Sequence, residues 1–338
     1  MSGPLDAAAI ARITALVLGE PAEYTREQAV DLVGTTVERS RAYWRAFGFA
    51  DVGRARAFTP EDIACMRLLV GLVDAGHIDE DTSIELTRSL GQTASRLADW
   101  QAGTVARVVE ASEDPVELDR LVDGVALMMP IFERLLAHAW RRHLAAAIGR
   151  SLSAVVRGGE ADATGSVGFA DIAGFTRLAR SLADDDLAGM VHSFETGAAD
   201  VVAAQGARLV KTLGDEVMFV SEDPTRALAI AVAMHDLDPP GPEPMTLRIG
   251  IATGRLVTTM GDVYGDTVNL ASRLTAIARP GTTLIDEATS DGATPLPGVR
   301  IRPLPPRPLR GMGMVRASAV TRAQDRSAGD SSGNTQVR

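Results

Sequence analysis

The segment Phe169–Thr176 combines a carboxylate, a glycine turn and the start of a helix. An apolar strand ends at Asp171, and the chain then passes through Gly174 into a helical pattern. A carboxylate at the end of a strand is a suitable ligand for a divalent cation. Free backbone N–H groups at a helix start bind anions. We expect the anion-binding backbone to be Gly174, Phe175 and Thr176.

A second carboxylate, Asp215, lies on the predicted turn of a β-hairpin, between two β-rich runs. If this hairpin pairs beside the first strand, Asp171 and Asp215 converge and need cations. Proteins hold Mg²⁺ through one or two carboxylates together with substrate phosphates. Two such ions, about 3.5–4 Å apart, can clamp the attacking and leaving oxygens of a displacement. A simple turn-forming role for Asp215 is the alternative, and Lys211 and Asp171 weigh against it.

A third polar group lies in Gly261–Arg273. Asn269 and Arg273 are four residues apart, so they share one face of a predicted helix. Asp262 precedes that helix by about one turn. An amide and a guanidinium on one face can bind ribose and phosphate oxygens. The alternatives are a solvated helix face and, for Asp262, a helix-capping acid.

These three segments, in this order, resemble the catalytic domain of class III adenylate and guanylate cyclases over about residues 160–320. The resemblance implies a ferredoxin-like α+β fold. It implies conversion of ATP to 3′,5′-cyclic AMP and pyrophosphate with two Mg²⁺ or Mn²⁺ ions in each active site. The metal ligands that it implies are Asp171, Asp215 and the carbonyl group of Ile172.

The same resemblance implies the substrate contacts. Lys211 and Asp262 read the purine edge, because a Lys donor and an Asp acceptor suit N1 and the N6 amino group of adenine. Guanylate cyclases of this family typically carry Glu and Cys there. Asn269 orients the ribose, and Arg273 stabilises charge on the α-phosphate. The implied triphosphate ligands are Arg316 and Arg255, with Arg310 as a further candidate.

The resemblance also implies a homodimer. In the family, the metal-binding Asp pair and the Lys, Asp, Asn and Arg set come from opposite subunits, so two equivalent sites form at a two-fold interface. The alternatives are a guanylate cyclase, a catalytically inactive nucleotide-binding module and a DNA-binding regulator. The chain lacks a Gly-Gly-Asp-Glu-Phe turn, which weighs against a diguanylate cyclase.

The elements that position these residues alternate between β-rich runs and amphipathic helices after Gly159. This order predicts helices on one face of a mostly antiparallel sheet in a catalytic domain over residues 159–321. The predicted strands are Val167–Ile172, Ala207–Leu213, Glu216–Val220, Thr246–Ala252 and Leu256–Met260, followed by two or three short ones. The predicted helices are Leu182–Ala204, Pro224–Leu237 and about Thr267–Ala278. We expect residues 322–338 to form a disordered tail.

Residues 1–150 predict an all-α regulatory and dimerisation domain, because apolar residues recur three and four positions apart. Thr59 followed by Pro60 predicts a helix start. A long helical pattern runs from about Pro115 to Val156, with a predicted kink or break at Pro130. It links the two domains and ends at Gly158-Gly159.

The first domain resembles the regulatory domain that precedes the catalytic domain in some bacterial class III cyclases, most clearly at Tyr43–Arg45 and Phe58–Pro60. That resemblance implies a dimerising domain that controls the cyclase in response to a lipid or to pH. A fainter likeness to the winged helix of MerR-type regulators suggests DNA binding. Acidic residues outnumber basic ones over residues 20–110, which argues against DNA.

The composition excludes further classes of partner. The net charge of −10 disfavours binding to nucleic acid or anionic lipid. The single cysteine, Cys65, cannot form an intramolecular disulfide, and its apolar neighbours predict a small core residue. The chain has no signal-peptide pattern and no apolar run of about 18 residues, so we expect a cytoplasmic protein without membrane insertion.

Overall fold

The computed structural model describes residues 7–110, 118–156, 163–237, 245–259 and 261–322. The chain divides into two compact units between Ile148 and Gly149. Four predictions lie outside the described residues: the start of the long helix at about Pro115, its end at Gly158-Gly159, the strand end at Met260 and the tail after residue 322.

The first unit is built from α-helices. Their bounds are α1 Ala7–Leu18, α2 Arg26–Val33, α3 Val37–Ala46, α4 Pro60–Asp74, α5 Glu80–Glu110 and α6 Leu118–Val156, the last of which crosses the division between the units. The predicted start at Thr59 is confirmed: its hydroxyl accepts from the Asp62 backbone N–H at 3.1 Å, and Pro60 opens α4.

In the core of this unit, aromatic residues of α3 and of the segment before α4 pack against α4. Tyr43 and Phe58 are fully buried, and the Tyr43 hydroxyl is hydrogen-bonded to Ser83 of α5 at 2.9 Å. From α4, Ile63 and Met66 face this core. The expectation that Cys65 is a core residue is wrong, because it lies on the opposite side of α4 and is exposed.

The predicted kink or break at Pro130 does not end the helix, because α6 continues from Leu118 to Val156. Proline removes one backbone hydrogen bond, to the carbonyl of Ala126. Ala126 and Pro130 are both exposed, so water can solvate that carbonyl. The predicted start of this helix at about Pro115 lies outside the described residues.

The second unit contains an eight-stranded sheet and a separate two-stranded sheet. Its helices are α7 Phe175–Ser181, α8 Asp184–Ala204, α9 Pro224–Met234, α10 Asp266–Ile277 and α11 Glu287–Gly292. Its strands are β1 Ala163–Ile172, β2 Arg208–Leu213, β3 Glu216–Ser221, β4 Leu247–Thr259, β5 Asp262–Tyr264, β6 Thr282–Asp286, β7 Val299–Pro303, β8 Arg307–Leu309, β9 Gly313–Val315 and β10 Ala317–Arg322. The α+β prediction is confirmed.

The main sheet has the strand order β2-β3-β1-β4-β6-β10-β7, and β5 pairs with β4. The β4–β6 pairing is parallel, whereas β1 is antiparallel to both β3 and β4. After α10, the described residues form five strands, β6 to β10, and α11 instead of two or three short strands.

Helices cover both faces of the sheet, in contrast to the predicted single face. Ala170 and Ile172 of β1 pack with α8 and α9, whereas Val167 and Phe169 pack with Ala271 of α10. Alternate residues of a strand point to opposite faces, so a central strand buried on both sides needs a helix on each. The face that carries α10 also carries the candidate site.

The predicted strands Thr246–Ala252 and Leu256–Met260 form one continuous strand, β4. Within it, Gly254 permits a close approach: a Cβ there would lie 2.7 Å from the Thr267 hydroxyl of α10. The Thr267 hydroxyl also donates to the Arg255 carbonyl at 2.8 Å. These contacts hold the start of α10 against β4.

Within the described ranges, no helix is both long and apolar enough to cross a lipid bilayer.

Candidate active site

Three adjacent strands place charged side chains on one face of the sheet. Asp171 of β1 is directly opposite Glu216 of β3 on one side and Arg248 of β4 on the other. Residues directly opposite one another in neighbouring strands share a face. Across the sheet the order is therefore Glu216, Asp171, Arg248. Arg248 Nη2 donates a hydrogen bond to Asp171 Oδ2.

The β2–β3 hairpin brings Asp215 to Asp171. Gly214 adopts a φ of 71°, a conformation that favours glycine, and so closes the predicted turn. The Ile172 backbone N–H donates to the Asp215 carbonyl at 3.0 Å, which fixes the turn beside the end of β1. The predicted convergence of the two carboxylates is thus present in the fold.

Burial and neighbouring negative charges raise the pKa values of two of these acids. Burial raises the pKa of Asp171, and the nearby Asp215 carboxylate raises it further, against the opposing effect of Arg248. Burial and the charges of Asp171 and Asp215 likewise raise the pKa of Glu216, to about 7. Additional positive charge at this position would be stabilising.

A metal ion here would rely on few protein ligands. Among the described residues, no group of three or more His, Cys, Asp or Glu side chains is arranged to hold a metal. The sequence-based prediction asked for two carboxylates, Asp171 and Asp215, together with the carbonyl of Ile172 and substrate oxygens. Ile172 has a buried side chain at the end of β1.

The predicted anion-binding backbone opens α7. Gly174 precedes the helix with a φ of 78°, and no side chain caps the helix there. Phe175 and Thr176 form the first turn, where backbone N–H groups are free of partners within the helix. The Gly174 carbonyl accepts from the Arg177 backbone N–H at 2.9 Å.

Lys211 and Asp262 form an ion pair, although 51 residues separate them. Lys211 Nζ lies 2.6 Å from Asp262 Oδ2, and the side chains are 33% and 26% exposed. Partial burial would raise the pKa of Asp262, but the hydrogen bond and charge of Lys211 lower it overall. Arg208 donates to the Gly261 carbonyl at 2.8 Å and so supports the residue before Asp262.

Asp262 does not cap α10, so that alternative is wrong. It lies in β5, and Gly265 precedes the helix. Asn269 and Arg273 are both exposed on α10, four residues apart as predicted. The opposite side of α10 is buried through Ala271 and Leu274.

The arginines proposed for the triphosphate are separate in the fold. Arg255 is exposed on β4. Arg316, between β9 and β10, is also exposed, and its Nη1 lies 3.2 Å from Glu287 Oε1 of α11. Arg310 is exposed after β8. An exposed ion pair such as Arg316–Glu287 contributes little to stability.

Sequence reasoning missed Arg248 and Glu216. The signal for Glu216 was its position next to Asp215, but its alignment with Asp171 follows only from the β1–β3 register. Arg248 is 77 residues from Asp171 in sequence, and no motif joins them.

Comparison with known proteins identifies the family. Residues 160–314 match the family model of the adenylate and guanylate cyclase catalytic domain. An adenylate cyclase from Streptomyces coelicolor is 39% identical over 92% of this chain and 89% of the relative. An adenylate cyclase from Streptomyces griseus is 42% identical over 84% of this chain and 72% of the relative.

A solved structure is similar to part of the chain. The adenylyl cyclase CyaB from P. aeruginosa is 22% identical, with a TM-score of 0.41, over 48% of this chain and 95% of that chain. The family model and the Streptomyces relatives, which extend across both units, show that the chain belongs to the class III adenylate and guanylate cyclases.

Proposed function

We propose that this protein is an adenylate cyclase that converts ATP to 3′,5′-cyclic AMP and pyrophosphate. The observation that carries the choice of ATP over GTP is the Lys211–Asp262 pair, held at 2.6 Å on the α10 side of the sheet. It offers a donor to N1 and an acceptor to the N6 amino group of adenine. The names of the Streptomyces relatives agree with this choice.

The site fits divalent cations. Asp171 and Asp215 lie close enough for their charges to interact, and Arg248 already neutralises part of this negative charge. We propose that Asp171, Asp215 and the Ile172 carbonyl hold two Mg²⁺ or Mn²⁺ ions together with the triphosphate. When bound, such ions neutralise phosphate charge and lower the pKa of the ribose 3′-hydroxyl.

The chain's own groups position the nucleotide. Lys211 and Asp262 hold the base, and Asn269 orients the ribose. Arg273 stabilises charge on the α-phosphate. The remaining groups proposed to bind phosphate oxygens are the side chains of Arg255 and Arg316 and the backbone of Gly174, Phe175 and Thr176.

The reaction is an in-line displacement. The ribose 3′-oxygen attacks the α-phosphorus, the bond from that phosphorus to the oxygen bridging to the β-phosphorus breaks, and pyrophosphate leaves. The proton of the 3′-hydroxyl passes to water. No step needs a covalent enzyme intermediate, so catalysis depends on positioning and electrostatics.

We propose a homodimer in which each site combines Asp171 and Asp215 of one subunit with the base-, ribose- and phosphate-binding set of the other. The surface of α6 supports self-association. Large apolar side chains are exposed there at every fourth position: Met128, Phe132, Leu136, Trp140, Leu144, Ile148 and Leu152. Large apolar side chains exposed along so much of a helix indicate an interaction surface.

The test is turnover of ATP and GTP by the purified chain with Mn²⁺ or Mg²⁺, with cyclic nucleotides quantified. We expect cyclic AMP from ATP and loss of at least about a hundredfold in rate in Asp171→Ala, because one metal ligand is removed. Preferential formation of cyclic GMP would overturn the choice of substrate. Absence of either product would indicate an inactive nucleotide-binding module.

A further inference from the structure

Arg248 lies against a carboxylate that is proposed to bind a metal ion. Its guanidinium pairs with the carboxylate of Asp171, from a strand directly beside β1. The Asp171 side chain is 14% exposed and the Arg248 side chain 32% exposed, so solvent only partly screens the pair.

The surrounding charge explains why a cation lies there. Asp171, Asp215 and Glu216 act electrostatically on one another, and Arg248 is the cation that acts on both Asp171 and Glu216. Three carboxylates facing one guanidinium leave an excess of negative charge. A divalent ion and Arg248 would therefore compete for the same carboxylate.

Arg248 is held in a way that permits it to move. Only its Nη2 is hydrogen-bonded to Asp171, so the pair is not the two-pronged arrangement that guanidinium and carboxylate groups can form. Its Nε is buried and has no hydrogen-bond partner among the described residues. A buried donor without a partner makes this conformation less favourable.

We propose that Arg248 is a positioning residue, a resident counter-cation that holds Asp171 in the metal-free chain and competes with the divalent ion for its carboxylate. Arg248 thereby sets the metal affinity of the site. This inference rests on the proposed function, because it assumes that Asp171 is a metal ligand.

The experiment is titration of the full-length chain with Mn²⁺ alone, free Mn²⁺ being measured by electron paramagnetic resonance. We expect the Kd of Arg248→Met to fall roughly tenfold below wild type, because one competing charge is removed. Arg248→Lys keeps the charge and should stay within about twofold of wild type. Metal-free Arg248→Met should have a lower melting temperature than metal-free wild type, and saturating Mn²⁺ should reduce this difference in melting temperature.

An unchanged or higher Kd in folded Arg248→Met would overturn the inference. If that variant does not fold, Arg248→Gln makes the same change of charge with a side chain that keeps a donor. Asp171→Asn separates the two proposals. If Asp171→Asn binds Mn²⁺ as tightly as wild type, the proposed metal site itself is wrong. If it binds weakly while Arg248→Met is unchanged, only the role of Arg248 fails.

Discussion

At the scale of residues, the types and spacing of the motif residues predicted the Asp171–Asp215 convergence, because a strand end and a hairpin turn are local features. The Lys211–Asp262 contact was implied only by the family resemblance. Arg248 could not be found in this way, since its partner is set by the register between β1 and β4. For Cys65 the local pattern led to a wrong prediction of burial, because apolar neighbours in sequence do not determine which side of a helix a residue faces.

His235 predicts a pH dependence of stability. It is half-buried after α9, 2.9 Å from the Thr283 hydroxyl, and burial lowers its pKa from 6.5, helped by Arg322 and opposed by Asp236. As pH falls below about 6.5, the unfolded chain gains a proton that the folded chain does not, so stability decreases. Thermal midpoints between pH 8 and 5 should decline less in His235→Gln than in wild type.

The matched control is His77→Gln, which changes an exposed histidine in the first unit. It should leave the dependence of the midpoint on pH as it is in wild type. A His235→Gln variant with the same acid sensitivity as wild type would contradict the proposed proton linkage.

At the scale of elements, periodicity located most helices and strands, but contacts between elements decided their ends. Pro130 was expected to interrupt a helix and instead lies on a solvated part of α6. The segment between Ala252 and Leu256 was expected to separate two strands and instead continues β4, where Gly254 permits the approach of α10. In both cases the effect of the residue on its helix or strand depended on whether solvent or another element lay opposite.

Gly250 provides a test of how closely α10 packs on the sheet. A Cβ added there would lie 2.3 Å from the Thr275 backbone nitrogen and 2.4 Å from the Ala271 carbonyl oxygen, so α10 must shift. We expect Gly250→Ala to lower the free energy of unfolding by about 3 kcal/mol, as overpacking does. It should also reduce turnover, because Asn269 and Arg273 are on that helix.

Gly189 of α8 is the control for this change, since a Cβ there would meet nothing within 4 Å. Gly189→Ala should be neutral or stabilise the protein by up to about 1 kcal/mol, because alanine favours helix. Urea denaturation of both variants gives the comparison. Equal stability of the two variants would show that α10 can move away from the sheet without cost.

At the scale of the whole molecule, the chain divides into two compact units, and we propose that the helical unit controls the cyclase unit. The sequence suggested lipid or pH as the signal through family resemblance alone. Comparing full-length protein with residues 149–338 tests this control. We expect the ratio of their activities to change between pH 5.5 and 8 or on addition of lipid vesicles, and a constant ratio in every condition argues against control by the first unit.

The proposed sharing of active sites between subunits predicts a result that a site within one chain does not. Asp171→Asn chains lack a proposed metal ligand, and Arg273→Ala chains lack the guanidinium proposed to bind phosphate, so each alone should be nearly inactive. In a mixed dimer, one of the two sites receives Asp171 from one chain and Arg273 from the other. Random exchange gives half mixed dimers with one intact site each, so activity should recover to about one quarter of wild type.

The control mixture combines Asp171→Asn with Asp215→Asn. Both changes fall within the metal-binding set, so no site in a mixed dimer obtains a complete pair of carboxylates. Activity should remain at the level of the separate variants, while native mass spectrometry confirms that mixed dimers have formed. No recovery in the first mixture despite mixed dimers would place all of these residues in a site formed within a single chain. Recovery in the control would mean that Asp171 and Asp215 of one site come from different chains.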